Sequence, residues 1–472
     1  MRIIIPLLIL LVSCSKPDTP KHKDSVQFSL SGGISSQAAQ VSAKFHPSFH
    51  GQKIRAILFE DTSSNEVLKR TSWQTIDSSK KDVYKFHFHD LAVQTSYFYG
   101  FEAEGKPIIE YQGSFSTFPP ENQSADFKVA FSCGNKFYEG QTAAEVANDT
   151  IFEVISGQNP LFFIHTGDFH YGDININDKE MFKQAFEGRL KGRQAELYRN
   201  TPLVYIWDDH DYGDNNSSRY SDSKQAVHQV YREYFPHYEL AGKDTTPIYQ
   251  SFTVGRVRFI ATDLRTESDP SGADNPRLPE KNIQHLQEND GEYYIPDNPK
   301  KTQMGAKQKQ WFKKELLKAR DEYGLIVWIS SRPWIGTGGN DDRWWGYSYE
   351  RREIARFIKE NKIDNLCMIA GDMHGVGIDD GRHNGYYLDN TSNGMFEVDT
   401  ASGFPVFQAA ALTSGGSVKG GPFSHGVNPG KQQYGVMKIE DDGQVIKVIW
   451  EARNVDGIIE ADGRKITYAF SR

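Results

Sequence analysis

Two regions of the chain differ in how hydrophobic and polar positions alternate. From Val26 to Phe118, short segments of alternating apolar and polar residues are separated by Ser, Gly, Asn and Asp. This spacing is typical of antiparallel strands and predicts a small β-sandwich of immunoglobulin or fibronectin type. The six segments are Val26–Leu30, Val41–Phe45, Ile54–Phe59, Val83–Phe88, Tyr97–Glu104 and Ile108–Phe115.

Beyond the Pro119-Pro120-Glu121-Asn122 boundary, apolar strand-like runs alternate with segments of helical spacing. The pattern predicts an α/β fold in which a layered β-sheet sandwich is flanked by helices. We therefore expect an all-β domain over residues 26–118 and an α/β domain over residues 126–472. The predicted helices are Gly140–Ser156, Lys179–Arg193, Gln225–Phe235 and Gly305–Arg320. Gly435–Phe470 is expected to close the sheet with antiparallel strands.

Four of the apolar runs end in side chains that can bind metals. Leu161–His165 is followed by Gly167, Asp168 and Tyr171. The other three continue into Ser132-Cys133-Gly134, Asp208-Asp209-His210-Asp211 and Gly371-Asp372-Met373-His374. Open α/β sheets place their ligands at the carboxyl ends of strands. A thiolate, a phenolate, carboxylates and imidazoles gathered at one edge would carry a heavy local charge unless cations lay there.

Composition narrows the classes of function. The chain has 472 residues, of which 38% are hydrophobic and 13% aromatic, as expected for a globular protein with an ample core. Its net charge of -8 is made of mixed signs, so we expect no nucleic-acid-binding footprint. The pattern indicates no particular oligomeric state.

The N-terminus reads as an export signal. Met1-Arg2 precedes the apolar run Ile3–Val12, which is too short to span a bilayer. Leu11-Val12-Ser13-Cys14 resembles the lipobox of bacterial lipoproteins, which implies a signal peptide at 1–13, lipidation of Cys14 and a tether over 14–25. We then expect an exported bacterial lipoprotein of the cell envelope, on the periplasmic face or outer surface, whose lipid anchor binds the membrane. The alternative is an ordinary cleaved signal with an incidental cysteine.

Taken in order, the strand-end motifs resemble those of calcineurin-like metallophosphoesterases. The Ser-Cys pair at 132–133 is similar to the PhoD-type alkaline phosphatase branch, as are Asp263-Leu264-Arg265 and Gly305-x-x-Gln308-x-x-Trp311-Phe312. That family also carries an N-terminal β-sandwich. The resemblance implies a metallophosphoesterase fold after the tether.

The same resemblance implies a dinuclear centre. Asp168 would bridge the metals. Cys133, Tyr171 and His374 would complete an Fe3+ site, because thiolate and phenolate suit a ferric ion. Asp209 and Asp372 would hold a harder cation, and the resemblance implies that this cation is Ca2+. A buried apolar thiol remains the alternative for Cys133, and Asp208 and Asp211 are as much capping or supporting groups as ligands.

One segment departs from the family pattern. After the strand Ile326–Ile329, many relatives offer a metal-binding histidine, but this chain continues Ser330-Ser331-Arg332-Pro333-Trp334. Either the second metal has one fewer protein ligand, or different neighbouring residues bind it. Arg332 is a candidate for binding a phosphate oxygen, with a packing arginine equally expected.

The implied activity is metal-dependent hydrolysis of phosphoric esters, whether monoesters or diesters. His210 stands at the position of the family's catalytic histidine, oriented by Asp211 or another carboxylate. One alternative is a phosphodiesterase for lipid or teichoic-type polymers, with Trp344-Trp345-Gly346-Tyr347 lining a broad cleft, although the same segment is equally expected to be a hydrophobic anchor for the following helix. Another is a catalytically silent envelope binding protein. The Gly-rich Ser414–Gly421 segment lacks the residues of a P-loop and is not expected to cradle phosphate.

Overall fold

The structure is a computed structural model. It describes residues 25–471 except 63–65, 78, 80, 139, 243–244, 272–296, 337–341, 384–402 and 460–464, and it leaves the side chains of 109–111 undescribed. The predicted signal peptide and Cys14 therefore lie outside the described residues. None of the helices within those ranges has the length and hydrophobicity that a membrane crossing requires.

The strands and helices of the described residues alternate after residue 126, as the sequence predicts. The strands are β1 (Val26–Gly32), β2 (Ala39–Phe45), β3 (Lys53–Phe59), β4 (Lys69–Arg70), β5 (Gln74–Thr75), β6 (Val83–Phe88), β7 (Ser96–Ala103), β8 (Lys106–Ser116), β9 (Phe127–Ser132), β10 (Phe162–His165), β11 (Leu203–Tyr205), β12 (Gln250–Val254), β13 (Val257–Ala261), β14 (Leu325–Ser330), β15 (Leu366–Ala370), β16 (Gly375–Asp379), β17 (Val406–Ala409), β18 (Val427–Pro429), β19 (Gln433–Asp441), β20 (Val445–Asn454), β21 (Gly457–Ile458) and β22 (Lys465–Ser471). The α-helices are α1 (Ala143–Ala147), α2 (Thr150–Ser156), α3 (Lys179–Arg189), α4 (Gly192–Asn200), α5 (Asp209–Tyr212), α6 (Lys224–Tyr234), α7 (Gly305–Glu322) and α8 (Ser348–Glu360).

Two large sheets pack face to face in the centre of the molecule. The first has the strand order β21-β20-β19-β9-β10-β11-β1-β2-β6, with β22 on β20, and the second has the order β12-β13-β14-β15-β17-β16-β18. Phenylalanines interdigitate between them: Phe131 meets Phe407 with ring centroids 4.9 Å apart, and Phe162 meets Phe259 at 5.3 Å. Such buried aromatic pairs stabilise the sandwich beyond their buried area. The C-terminal strands β19 and β20 add antiparallel to β9, as predicted.

Helices cover the outer face of each sheet. Apolar residues of α2, α3, α4 and α6 share one buried cluster with the first sheet, and those of α7 and α8 share another with the second. The result is four layers, helix–sheet–sheet–helix. The predicted α/β sandwich is confirmed.

The N-terminal strands form a second sandwich that shares a sheet with the first. A sheet of order β4-β3-β7-β8, with β5 on β3, faces β1, β2 and β6. Phe101 of this sheet packs on Phe45 and Phe86 with centroids 5.1 and 5.5 Å apart. On the other side β1 pairs in parallel with β11 through Gly32 and Leu203. The domain division at residues 118–126 stays a prediction, and the first sheet continues across it.

Two predicted helices are each broken in two. Gly140–Ser156 contains α1 and α2, because the side chain of Asp149 caps α2 by accepting the amide of Ile151. The predicted helix Lys179–Arg193 is α3 up to Arg189, and its last two residues already belong to α4, which begins at Gly192 with φ +52°. Apolar spacing alone does not show such breaks, because it continues in phase across a short turn.

His165, at the end of β10, should make stability depend on pH. The side chain is fully buried among Phe163, Phe169 and Tyr205, and no described residue forms a hydrogen bond with either ring nitrogen. Burial lowers its pKa to about 3, whereas an unfolded chain has a histidine pKa of about 6.5. Between these values the unfolded state binds the extra proton. The free energy of unfolding is therefore fully present above about pH 6.5 and falls by up to about 1.4 kcal/mol per unit as pH drops.

His165→Leu should remove that pH-dependent loss. Denaturant unfolding of the wild type and variant between pH 7 and pH 5 tests this, with His89→Leu, at an exposed position just after β6, as control. If the wild type and His165→Leu lose stability in parallel, His165 does not carry the dependence.

Candidate metal centre

The predicted metal-binding side chains follow strands whose carboxyl ends point to one edge. β9, β10 and β11 run parallel in the first sheet and are followed by Cys133, Asp168 and Asp209. β15 of the second sheet is followed by Asp372, whose amide donates to Cys133 Sγ over 3.1 Å. This contact joins the strand ends of the two sheets.

Asp168 occupies a left-handed backbone turn. Its φ is +57°, and the preceding Gly167 has φ +109°, where an added Cβ would lie 2.4 Å from the Cβ of Asp208. Such strained positions concentrate at functional sites. Asp168 Oδ2 accepts the Tyr171 hydroxyl over 2.7 Å, but within the described part of the chain the buried Oδ1 has no hydrogen-bond partner. Burial raises the pKa of Asp168 well above its usual range. A cation beside Oδ1 would both satisfy this oxygen and favour the carboxylate.

Tyr171 contacts two other side chains of the predicted ferric site, Asp168 and His374. Its hydroxyl oxygen is 3.2 Å from His374 Nε2 and accepts a hydrogen bond from Ser414 Oγ over 3.1 Å. Burial, with Asp168 adding to it, raises the pKa values of Tyr171 and Cys133 well above their usual ranges. A phenolate and a thiolate would form here only beside a strong positive charge. The donor chemistry fits a ferric-type cation.

Asp168, Asp209 and His210 form a second group of possible metal ligands. One ligand atom from each of the three lies within 4.8 Å of the others. Asp209 Oδ2 accepts the amide of Asn216 over 2.8 Å, while the buried Oδ1 lies 3.4 Å from Arg265 Nη2 and has no hydrogen-bond partner among the described residues. Burial opposes ionisation of Asp209, but the charges of Arg265 and His210 outweigh it and lower its pKa. The carboxylates of Asp168 and Asp209 thus lie close enough together to bind one hard cation.

His210 is held by a carboxylate that sequence reasoning did not name. Its Nδ1 lies 2.5 Å from Asp173 Oδ1, and its ring packs on Tyr171 with centroids 4.1 Å apart. Burial lowers the pKa of His210, but Asp209 and Asp168 more than reverse this and raise it to about 10. Asp211 accepts the backbone amides of His170 and Asp208 at 3.1 Å each. Asp211 therefore supports the turn, and Asp173 is the partner of His210.

Asp372 forms ion pairs with two cationic side chains. Its Oδ1 accepts the Lys419 ammonium, and its Oδ2 lies 3.2 Å from Arg343 Nε. Asp372 also has a left-handed backbone, with φ +62°. A carboxylate has about four lone-pair positions, so these contacts leave capacity for a metal.

Tyr171, Asp209, His210, Asp372 and His374 line a cavity of about 470 Å³, whereas Asp168 and Cys133 are buried and are not among its lining residues. Its lining has three carboxylates and three cationic side chains around the histidines. The lining residues are Lys136, Phe137, Tyr171, Asp173, Asp209, His210, Asn215, Asn216, Arg343, Asp372, His374 and Lys419. A polar cavity that has charges of both signs and convergent metal-binding groups is the arrangement expected for binding a small anionic ligand.

Comparison with known families decides which group of proteins this site belongs to. The family model described as PhoD-like phosphatase matches residues 128–417, more than half of the chain, and spans all the strand ends described above. The chain belongs to the PhoD-like phosphatase family.

The similarity to individual proteins is lower. Alkaline phosphatase D from Bacillus subtilis (strain 168) is 24% identical over 208 residues, which cover 40% of this chain and 33% of the relative. The match thus spans about a third of that curated protein. A solved structure of PhoD superposes with a TM-score of 0.73 at 16% identity, covering 97% of this chain and 90% of that one. Purple acid phosphatase PPD1 from yellow lupin (Lupinus luteus) seeds gives 0.62 at 12% identity, covering 95% and 75%. These two structures show a shared fold.

In this PhoD-like phosphatase chain the structure brings together all the predicted ligands that follow the strand ends. Arg332 is different: it is 1% exposed, donates to Ser268 Oγ over 3.2 Å and is not among the residues that line the cavity. Its predicted phosphate contact has no support in this position. Asp208 is not at the cavity either, because Arg265 and Ser331 bind its Oδ1 at 2.6 and 3.1 Å. Ser331, at the place of the missing histidine, thus supports Asp208.

The tryptophans of 344–347 are part of the core. Trp344 is fully buried, and Trp345 and Tyr347 are 8% and 1% exposed. Trp344 packs on Trp334 and Trp328 with centroids 5.0 and 5.5 Å apart. The expectation that this segment lines a broad cleft is wrong, because its aromatic side chains are buried and Trp344 belongs to the cluster of the second sheet and α8.

The sequence analysis missed four residues of the cavity that carry charge. Asp173, Arg343, Lys419 and Lys136 lie in loops, outside the strand-end motifs. A signal existed for Lys419 alone, because it precedes two glycines in the segment singled out as Gly-rich.

Proposed function

We propose that this protein hydrolyses phosphoric esters with a dinuclear metal centre. The observation that carries the proposal is the buried Asp168 carboxylate: its Oδ1 has no hydrogen-bond partner among the described residues, its Oδ2 accepts the Tyr171 hydroxyl, and it forms one cluster of possible ligands with Asp209 and His210. Membership of the PhoD-like phosphatase family supports the reaction class.

The chain's residues would divide between two cations. Cys133, Tyr171 and His374 would hold Fe3+ with Asp168, and Asp209 and Asp372 would hold Ca2+ with the same Asp168. When bound, the metals would polarise the phosphoryl group and supply a nucleophilic hydroxide at neutral pH. Ser414 would orient the Tyr171 oxygen, and the left-handed turns at Asp168 and Asp372 would fix both carboxylates at the edge.

His210 would protonate the leaving oxygen. It lines the cavity, and its Nδ1 is held by Asp173, which fixes the ring and compensates its charge. Because the Tyr171 ring packs on the imidazole, the histidine is restrained on two sides. Arg265, buried against Asp208 and Asp342, would keep the neighbouring Asp209 ionised without entering the cavity.

The phosphate ester would be a monoester or a diester with an accessible phosphoryl group. Nothing in the described cavity favours a polymer substrate, since the tryptophan segment is buried. The predicted lipid anchor at Cys14 would place the enzyme in the cell envelope, on the periplasmic face or outer surface.

The first experiment is elemental analysis of protein purified without chelator, with hydrolysis of an aryl phosphate monoester and diester. We expect iron and calcium, phosphate release, and a visible charge-transfer band that Tyr171→Phe or Cys133→Ser removes. If metal and turnover are both absent after reconstitution with iron and calcium, the protein is instead a binding protein on a silent phosphatase scaffold.

Asp173→Asn should slow hydrolysis while leaving the metals in place. Removing the carboxylate that orients a functional histidine typically costs about tenfold to a hundredfold in activity. We expect kcat for the aryl monoester to fall by about tenfold, with iron and calcium contents unchanged. Asp178→Asn, at the partly exposed N-cap of α3, is the control. A fall in metal content would show that Asp173 supports the ligands and does not act through His210.

A further inference from the structure

The Gly-rich segment Ser414–Gly421 folds against the candidate metal centre. The amide of Ser417 donates to the carbonyl of His374 over 2.8 Å, and Ser414 Oγ donates to Tyr171 over 3.1 Å. At Gly420, with φ +90°, an added Cβ would lie 2.1 Å from the carbonyl oxygen of Ile335. The segment therefore packs closely between the His374 and Ile335 turns, and its glycine is required by that contact.

This packing places Lys419 in the cavity. Its ammonium binds Asp372, and its side chain is 24% exposed. Arg343 reaches the same carboxylate from a different segment, just before α8, with a side chain 19% exposed. Two cations from separate parts of the chain thus share one carboxylate at the cavity wall.

Both cations keep hydrogen-bonding capacity beyond Asp372. Lys419 meets that carboxylate through its ammonium and Arg343 meets it through Nε. Asp342 adds a second negative charge near both cations, and a metal bound to Asp372 would weaken the attraction of that carboxylate for them. An ammonium offers three donors and a guanidinium five, so both can bind Asp372 and an anion together.

We propose that Lys419 and Arg343 bind the non-bridging oxygens of the substrate phosphate and favour dianionic monoesters over diesters. The assignment rests on the proposed function. A monoester presents three non-bridging oxygens and a charge near two, whereas a diester presents two oxygens and one charge. Charge-assisted hydrogen bonds from two cations are therefore stronger to the monoester.

The test measures binding of inorganic phosphate to the full-length protein by titration calorimetry, with metal content determined on each sample. Lys419→Met and Arg343→Met should each raise the Kd for phosphate by about tenfold to a hundredfold, the range for one hydrogen bond to a charged group. The KM for an aryl monoester should rise more than that for the diester. Arg382→Met, whose side chain is 65% exposed, is the control and should change nothing.

Two results would overturn the assignment. The first is a phosphate Kd that Lys419→Met and Arg343→Met leave unchanged at wild-type metal content, since both cations would then serve only Asp372. The second is loss of metal in parallel with loss of phosphate binding. Lys419→Arg keeps the charge and should recover most of the affinity, which tests the idea even if the methionine variant does not fold. Absence of hydrolysis in the wild type itself would contradict the proposed function, and phosphate binding would still be measured independently.

Discussion

Replacing Asp168 with asparagine should lower phosphate ester hydrolysis by at least about a hundredfold and reduce the bound metal. Changes to groups that merely support metal ligands cost up to about a hundredfold, and Asp168 would contact both cations directly. Asparagine keeps the shape of the side chain and tolerates the left-handed backbone at φ +57°. The loss should therefore come from the missing charge. Elemental analysis and the rate with an aryl phosphate monoester measure it.

Asp90 offers a matched control. It has a similar backbone, with φ +51°, and its side chain is 95% exposed and far in sequence from the strand ends. Asp90→Asn should retain full activity and full metal content. If Asp168→Asn also kept both metals and full turnover, the bridging role of Asp168 would be wrong.

Replacing Arg265 with methionine should destabilise the fold by about 3–5 kcal/mol, the range for breaking a buried ion pair from one side. Arg265 is completely buried, and its guanidinium contacts Asp208 at 2.6 Å, Asp342 at 3.0 Å and Asp209 at 3.4 Å. Without it, buried carboxylates would face each other uncompensated. Denaturant unfolding, followed by tryptophan fluorescence, measures the change in the free energy of unfolding.

An exposed ion pair shows what the same substitution costs in water. Arg193 contacts Glu153 at 2.9 Å, with side chains 40% and 69% exposed. Arg193→Met should cost less than about 1 kcal/mol, because solvent screens such pairs. Equal losses for the two variants would mean that burial of the Arg265 cluster adds nothing.

The predicted ligands were readable because they sit next to their strands. Asp168, Asp209 and Asp372 each follow a buried apolar run by a few residues. Parallel strands of the first sheet bring Asp168 and Asp209 to one edge, so local pattern and strand direction sufficed for these two. Asp372 follows a strand of the second sheet and reaches them only because the two sheets pack together.

The pattern of apolar and polar positions did not predict the loop residues that line the cavity. Asp173 approaches His210 from 37 positions away in the chain, and Lys419 approaches Asp372 from 47. Arg332 shows the reverse error: it follows a strand directly but turns into the core toward Ser268. Adjacency to a strand end fixes where the backbone goes, and packing decides which way a long side chain points.

The sequence by itself determined the α/β class, the strand ends that carry metal-binding groups and the resemblance to a phosphatase family, because apolar periodicity and strand-end chemistry are local properties of the chain. Only the tertiary structure decided that the N-terminal strands extend the first sheet, that Asp173 holds His210, and that Lys419 and Arg343 meet at Asp372. Those contacts join segments far apart in sequence, and their energies depend on burial and on charges that converge only when the sheets have packed.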